Sequence, residues 1–220
     1  MRKALKIGGS VIVAVVVVGL LTLRVRGLEP QFLDPSGEEF KAHGMTARPG
    51  LWLTGEVVTT PVTDWSFVNH INDPVRRNFI MIQTHTWYGI PHSVTTGIVG
   101  RGNRLYVHAH SDPARLASAQ FPYDKAWTAN VARDPRVRLK IAGKIYEVTL
   151  ALITDRAEVA AIAGRDPVDR RKGPDGQEQI VGVMHWYRAF QRNIPEFGSG
   201  QGVATHSKSD PLDSGEEGAK

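Results

Sequence analysis

The sequence predicts a mainly β domain with short helices, whose consecutive strands pair antiparallel and begin to close into a barrel. Three short apolar segments follow one another between Arg77 and Ala109, and turn residues separate them. Consecutive short strands of this kind are typical of a meander, the arrangement in which a small barrel starts. A helix that leads directly into a hairpin, between Trp127 and Ile153, continues the same pattern.

The segment from Trp127 to Ile153 carries the most information. Apolar residues at helical spacing run from Trp127 to Val131, and Asp134-Pro135 ends this helix because proline disfavours a helical residue before it. Alternating apolar residues then predict two strands on either side of Ala142-Gly143, a dipeptide that suits a tight turn. The segment is therefore predicted to be a helix followed by a hairpin with one apolar face.

Composition predicts the remaining elements less directly. Leu51 to Thr60 is rich in Trp, Leu and Val and is predicted to be the first strand, and Asp64 to Asn69 continues it as an extended segment. A helix is predicted from Arg156 to Ile162, and the charged, turn-rich stretch from Arg165 to Gln179 is predicted to be a surface loop. The periodicity from Ile180 to Phe190 fits a helix and a strand equally, so both alternatives stay open.

The run Trp-x-x-Asn-Val-x-x-Asp-Pro-x-Val-x-Leu from Trp127, followed by a glycine-turn hairpin and a helix start with Asp155 and Glu158, resembles the flavin-binding split-barrel superfamily. This superfamily includes the pyridoxamine phosphate oxidase-like proteins and the deazaflavin-dependent nitroreductase-like proteins. The resemblance covers roughly Phe79 to Ile162 and implies an antiparallel split β-barrel. It indicates the fold more strongly than the reaction, because one fold can host many activities.

The resemblance also implies which residues hold a flavin. Positions that match the ring-lining residues of the superfamily lie at one strand end and on its hairpin partner: Thr84, Ser93, Val94 and Thr95. Ser111 and Arg115 match the region that holds the phosphate, for which arginine is suited because its planar fork donates two hydrogen bonds at once. Trp127 is the remaining position that the resemblance assigns to the cofactor.

The motifs leave two cofactors open. The turn from Tyr88 to His92 is similar to that of the flavin-type members, which carry Gly-x-Pro-His, whereas Trp127 with Asn130 is similar to the deazaflavin-type members. The basic turn of the deazaflavin group is missing, and flavin-type members often carry Lys or Arg where Trp127 stands. FMN is the expected cofactor, and a deazaflavin coenzyme is the alternative.

Composition excludes several other classes of protein. The chain has 220 residues, of which 41% are hydrophobic and 22% charged, as expected for one globular domain. It has no cysteine, which excludes disulfides, cysteine-ligated zinc, iron–sulfur clusters and a thiol nucleophile. The net charge of +5 comes with no nucleic-acid-binding motif, so it indicates a mild preference for anionic ligands or lipid head groups.

The N-terminal sequence predicts a membrane anchor. Ile7 to Leu23 runs without a charge for about the minimum length that spans a bilayer, and no small-x-small cleavage site directly follows it. A single-pass anchor is therefore favoured over a cleaved signal peptide, and the basic residues slightly favour a domain outside the cytoplasm. The predicted organisation is an anchor at 1–26, a linker at 27–49, the split-barrel domain at 50–197 and a disordered tail at 198–220.

Two further clusters have a structural and a functional interpretation. The basic residues of one strand face are expected to be solvated rather than to form a phosphate cradle: Arg136, Arg138 and Lys140. Four histidines lie on neighbouring strands and turns, and hydrogen-bonded strand residues are favoured over a metal or haem site: His85, His92, His108 and His110. No metal site is predicted.

The predicted function combines the anchor with the resemblance. It is a membrane-anchored flavin-dependent oxidoreductase of the pyridoxamine phosphate oxidase-like type, which transfers hydride to a small molecule and binds FMN in a cleft at a homodimer interface. The first alternative is a deazaflavin-dependent reductase. The second is a split-barrel module that carries haem or lipid without turnover, and the third is a structural domain held at the membrane for partner contacts. The sequence does not predict catalytic residues.

Overall fold

The computed structural model describes residues 2–32, 46–71, 79–111 and 126–192, with the side chains of the first helix from Ile12 onward. Two short strands, seven longer strands and three α-helices lie in these ranges. The strands are β1 (Gln31–Phe32), β2 (Thr46–Arg48), β3 (Phe79–Thr84), β4 (His92–Arg101), β5 (Arg104–Ser111), β6 (Arg136–Ile141), β7 (Lys144–Leu152), β8 (Val168–Lys172) and β9 (Glu178–Gln191). The helices are α1 (Arg2–Arg26), α2 (Ala126–Arg133) and α3 (Arg156–Ala163), and a 3-10 helix spans Ser66–His70.

A closed antiparallel barrel is the centre of the fold. The strand order is β5-β4-β3-β6-β7-β9-β8, and β9 also pairs with β5, so the ring closes with β8 beside it. The closing strand is long enough for two partners, because Val183 to Ala189 pair with β5 and Tyr187 to Gln191 pair with β7. The mainly β antiparallel architecture with short helices, as predicted, is therefore confirmed.

Branched apolar side chains fill the barrel. Each barrel strand contributes alternate residues to the interior, as the two-residue period of a strand requires. Five of these side chains, one from each of β3 to β7, have no solvent-exposed surface: Ile82, Ile98, Val107, Leu139 and Val148. The indoles of Trp65 and Trp127 belong to the same buried cluster, so the 3-10 helix region and α2 pack against the barrel core.

Three predicted elements differ in the structure. Leu51–Thr60 is not a strand, since the region makes only single bridges at Gly50 and Val57. The two bridges form where a barrel strand has an unpaired edge, at Ser93 before β4 meets β5 and at Ile145 before β7 meets β9, and neither bridge extends into a ladder. Ser66–His70 is a 3-10 helix rather than an extended segment, and the predicted loop from Arg165 to Gln179 contains β8. The undecided segment from Ile180 to Phe190 is the strand β9.

The chain between α1 and the barrel packs on the barrel surface. The carboxylate of Glu29 accepts hydrogen bonds from Nζ of Lys140 at 2.5 Å and from the backbone N–H of Thr54 at 3.1 Å. Burial alone would raise the pKa of Glu29, but these hydrogen bonds outweigh it and lower the pKa. The N–H of Leu53 donates to the side-chain oxygen of Gln83 at 2.7 Å. Glu29 of the predicted linker is thus attached to β6, and Leu53 of the predicted barrel domain is attached to β3.

The N-terminal helix α1 ends at Arg26. None of the helices in the described ranges has the length and apolar content that crossing a bilayer requires. The predicted anchor therefore stays a prediction. The predicted tail from Gly198 lies outside the described residues.

Candidate functional site

A cavity of about 390 Å³ lies beside β3, β4 and β5. We call it the aromatic cleft, because residues with aromatic rings from three separate elements line it together with polar groups: Phe79, Thr95, Gly97, His108, Trp127 and Arg165. Phe79 comes from β3, Trp127 from α2 and Arg165 from the segment after α3. Closure of the barrel is what brings these distant parts of the chain together.

The imidazole of His108 occupies space that a glycine leaves open. A Cβ atom at Gly97 would lie 2.2 Å from Nε2 of His108, so a larger residue there would displace the ring. The ring also packs on the indole of Trp186, with centroids 4.7 Å apart and planes tilted by 34°. Burial, assisted by the positive charges of Arg165 and His110, lowers the pKa of His108 to about 4. His108 is therefore neutral at neutral pH.

This neutral histidine makes stability depend on pH. The unfolded chain binds a proton at His108 near pH 6.5, whereas the folded protein resists it down to about pH 4, so stability is lost as the pH falls through this window. We expect a loss on the order of 2–3 kcal/mol from this group. Denaturant unfolding at several pH values would measure this loss. In the His108→Gln protein, the free energy of unfolding should change less between pH 6.5 and about pH 4. Equal slopes for the two proteins would contradict the assignment.

The carboxylate of Asp169 contacts two basic side chains at the edge of the aromatic cleft. Oδ1 of Asp169 accepts a hydrogen bond from Arg165 at 2.9 Å, and Oδ2 of Asp169 lies 3.2 Å from Nε2 of His110. The second guanidinium NH2 group of Arg165 lies 3.1 Å from the sulfur of Met184, which also lines the cavity. Arg165 is thus fixed on both sides with its guanidinium at the cleft.

The structure places two of the predicted cofactor residues in the aromatic cleft, Thr95 and Trp127. Thr95 lies on β4 beside Gly97 and is 8% exposed. The indole of Trp127 is almost fully buried, and its ring lies 5.5 Å from that of Tyr187 on β9. Trp127 therefore belongs to the barrel core and to the wall of the cleft at the same time.

Thr84, unlike Thr95 and Trp127, lies in a hydrogen-bond network that joins β3 to α2. Its hydroxyl donates to the carbonyl of His92 at 3.2 Å and accepts from the side-chain amide of Asn130 at 2.9 Å. The oxygen of the same amide accepts from the guanidinium of Arg133 at 2.9 Å. The Trp-x-x-Asn motif thus joins α2 to the end of β3, and Thr84 is not among the residues that line the cleft.

The other predicted cofactor residues also lie away from the cleft. Ser93 is fully buried beneath Gly50, with which it exchanges two backbone hydrogen bonds of 2.8 and 2.9 Å. Val94 packs against the barrel core, and Ser111 is buried in the pairing of β5 with β9. Arg115 lies outside the described residues.

The histidine set does not form a metal site in the described part of the chain, where no group of three ligands is close enough to hold an ion. Nδ1 of His85 lies 3.0 Å from the carbonyl of Arg136, and burial lowers the pKa of His92. His110 contacts Asp169, as described above. Of these three histidines, His110 shares the aromatic cleft with His108.

The basic residues of β6 are each in an ion pair. Arg136 contacts Asp134 at 2.8 Å, Arg138 lies 3.4 Å from Glu147, and Lys140 contacts Glu29. The hydrogen bonds from Arg136 lower the pKa of Asp134 to about 2. These three cations therefore compensate neighbouring carboxylates on the protein surface.

Comparison with known proteins gives matches of structure alone. No protein-family model matches the chain, and no curated protein sequence matches it. Several solved structures resemble part of it, among them the following two. A putative pyridoxamine 5'-phosphate oxidase from Listeria innocua has a TM-score of 0.33 and 13% identity over 51% of this chain and 83% of its own. A pyridoxamine 5'-phosphate oxidase-related, FMN-binding protein from Nostoc punctiforme has a TM-score of 0.32 and 13% identity over 51% and 71%.

Both structures are named for the group of proteins that the sequence around Trp127 resembles. The barrel itself is defined by its own strand order and register, in which every pairing is antiparallel and β9 closes the ring between β5 and β7.

Proposed function

We propose that the protein is a flavin-dependent oxidoreductase that holds FMN in the aromatic cleft. The observation that carries the proposal is the combination, in one cavity, of aromatic walls with a fixed guanidinium at the edge. Its volume of about 390 Å³ falls within the range of roughly 300–1,000 Å³ that is usual for small-molecule sites. A largely apolar site with a few polar groups is the pattern by which proteins hold planar cofactors.

The lining residues fit the needs of a flavin. Phe79 and Trp127 offer apolar surface for the face of the ring, and Thr95 offers a hydroxyl for its polar edge. Gly97 leaves room for the imidazole of His108 in the wall of the cleft, because a Cβ atom there would lie 2.2 Å from Nε2 of His108. Neutral His108 adds no charge to the ring site, whereas Arg165 supplies positive charge at the edge. When bound, the flavin would supply the hydride chemistry, and these residues would bind, orient and shield it from water.

The test is the chromophore of the purified protein. We expect a yellow protein with a flavin absorption spectrum, and mass spectrometry of the released molecule should identify FMN. A deazaflavin mass would select the deazaflavin-dependent reductase instead. A Soret band, a bound lipid or a colourless protein that does not take up added FMN would reject the flavin proposal. Reduction of the bound flavin by a nicotinamide donor would then support turnover.

We propose further that α1 anchors the protein in a membrane, with the domain outside the cytoplasm. Large apolar side chains along the described part of this helix are exposed, including Ile12 at 66%, Val15 at 66% and Val18 at 62%. Exposed apolar surface of this kind is costly in water, so a lipid environment would stabilise it. We expect the full chain to stay in the membrane pellet after alkaline extraction, and a chain that starts at Gly27 to be soluble. A soluble full chain would refute the anchor.

A homodimer is the proposed assembly. Large apolar side chains of β7 and β9 are about half exposed, namely Leu152 at 45%, Ile180 at 51% and Phe190 at 51%. Apolar residues exposed on neighbouring strands are a usual feature of protein interfaces. The mass of the chain without α1, measured by light scattering, should be that of two copies, and Phe190→Glu should shift it towards one copy. A monomer at micromolar concentration would reject the assembly.

A further inference from the structure

A second cavity, of about 320 Å³, adjoins the aromatic cleft. We call it the arginine pocket, since three arginines line it with three other residues: His110, Arg165, Asp169, Arg170, Arg171 and Val181. It is built mainly by β8, which lies beside the closed barrel, and by the part of β9 that pairs with β8. His110 and Arg165 line both cavities, so the arginine pocket and the aromatic cleft meet at these two side chains.

The charges of the arginine pocket favour an anion. Arg165 is paired with Asp169 at 2.9 Å, and Arg170 contacts Asp166 at 3.0 Å. Hydrogen bonds from the N–H of Val168 and from Arg156 and Arg170 lower the pKa of Asp166 to about 2, so this carboxylate stays ionised. Arg171 has no ion-pair partner among the residues that the structure describes. Two of the three guanidiniums in the lining are therefore paired with carboxylates, and the guanidinium of Arg171 is left to attract an anion.

The β8–β9 hairpin contains a bulge at the pocket. Asp169 pairs with Gly182 and Arg170 with Ile180, so β9 carries one extra residue, Val181, between the two pairs. Val181 lines the pocket together with Asp169, Arg170 and Arg171 of the facing strand β8. The bulge therefore places the extra residue of β9 in the wall of the pocket.

We propose that the arginine pocket binds the phosphate group of the molecule whose ring lies in the aromatic cleft, with Arg171 as a direct ligand of the phosphate. The two cavities share an edge, so one molecule with an aromatic part and an anionic end can occupy both. Arginine is suited to phosphate because its fork donates two charge-assisted hydrogen bonds. This inference rests on the proposed function for the ring, and it assigns the phosphate to β8 rather than to the region of Ser111 and Arg115.

The test compares FMN with riboflavin, which has the same ring but no phosphate. Fluorescence titration of the flavin-free full chain should give weaker binding of FMN to Arg171→Gln, by about tenfold, and unchanged binding of riboflavin. Arg104→Gln is the matched control, because it removes the same charge from an exposed position. Arg104 is the first residue of β5, whereas His110, which lines the pocket, lies near the last residue of that strand. This control should bind both flavins as the unmodified protein does.

Four outcomes would overturn the proposal. Equal losses for FMN and riboflavin would mean that Arg171 affects the ring site only, and unchanged FMN binding would exclude contact with the phosphate. Equal effects of Arg104→Gln and Arg171→Gln would mean that net charge alone matters. Inorganic phosphate could also raise the melting temperature of the flavin-loaded protein but not that of the flavin-loaded Arg171→Gln variant, while both bind FMN equally. That result would assign the pocket to the anionic group of a second molecule.

A separate measurement distinguishes this inference from the flavin proposal. Inorganic phosphate should raise the melting temperature of the flavin-free protein, and this increase should be absent in Arg171→Gln and retained in Arg104→Gln. If this phosphate effect is found but no flavin binds, the anion site stands and the proposed function fails. If flavin binds while phosphate has no effect and Arg171→Gln does not discriminate FMN from riboflavin, the proposed function stands and the anion site fails.

Discussion

Replacing Trp127 by alanine is expected to lower the free energy of unfolding by about 3–5 kcal/mol and to abolish flavin binding. The indole is 3% exposed and belongs to the buried cluster of the barrel, so its removal leaves a cavity that the rigid strands cannot fill. It also forms part of the wall of the aromatic cleft. Urea unfolding and FMN titration would measure the two effects.

A phenylalanine at the same position separates the two roles. Trp127→Phe keeps most of the apolar volume, so we expect a loss of stability of about 1–2 kcal/mol and weakened but measurable binding of FMN. Unchanged FMN binding in a folded Trp127→Ala protein would remove this residue from the site. A loss of stability below about 1 kcal/mol would contradict its place in the core.

Replacing Gly100 by alanine is expected to destabilise the barrel by about 3 kcal/mol. A Cβ atom there would lie 1.9 Å from the carbonyl oxygen of Trp65 and 2.5 Å from its carbonyl carbon, so the backbone before the 3-10 helix must move. That movement would break the two hydrogen bonds, of 2.8 and 3.0 Å, that join the side chain of Asn69 to the backbone of Gly100.

Gly89 provides the control for this substitution. Its φ angle is +82°, but no atom lies within 4 Å of the position that a Cβ atom would take, so alanine there adds backbone strain without a clash. Gly89→Ala should therefore cost only about 1–2 kcal/mol, the usual cost of a left-handed conformation. Equal midpoints of denaturant unfolding for the two variants would show that the close approach of Trp65 to Gly100 is unimportant.

Local sequence pattern was sufficient for most of the barrel. The strands β3 to β7 and the helices α2 and α3 follow from alternation, helical spacing and turn residues, because each lies between clear breaks. The closing strand β9 was ambiguous, since adjacent residues such as Trp186 and Tyr187 are both buried and the alternation is lost. The strand β8 was missed because it is short, charged and largely exposed, as a loop is.

The candidate site was less predictable than the fold. Thr95 and Trp127 were identified through the resemblance, whereas Arg165, Asp169 and Met184 lie far along the chain in segments assigned to a loop or left undecided. The pairing of β5 with β9 carries these residues to the cleft, and such long-range pairing leaves no local trace. His108 and His110, which were singled out in the sequence as members of a histidine set, also line this cleft.

The position of β9 has a consequence for synthesis. Because the closing strand spans Glu178–Gln191, most of the polypeptide must leave the ribosome before the ring can be sealed. Until then β5 and β7 each present an unpaired edge, which is a template for wrong association with other chains. A nascent chain that stalls before this point is therefore the form most in need of a chaperone, and protease resistance should arise only after residue 191 has emerged.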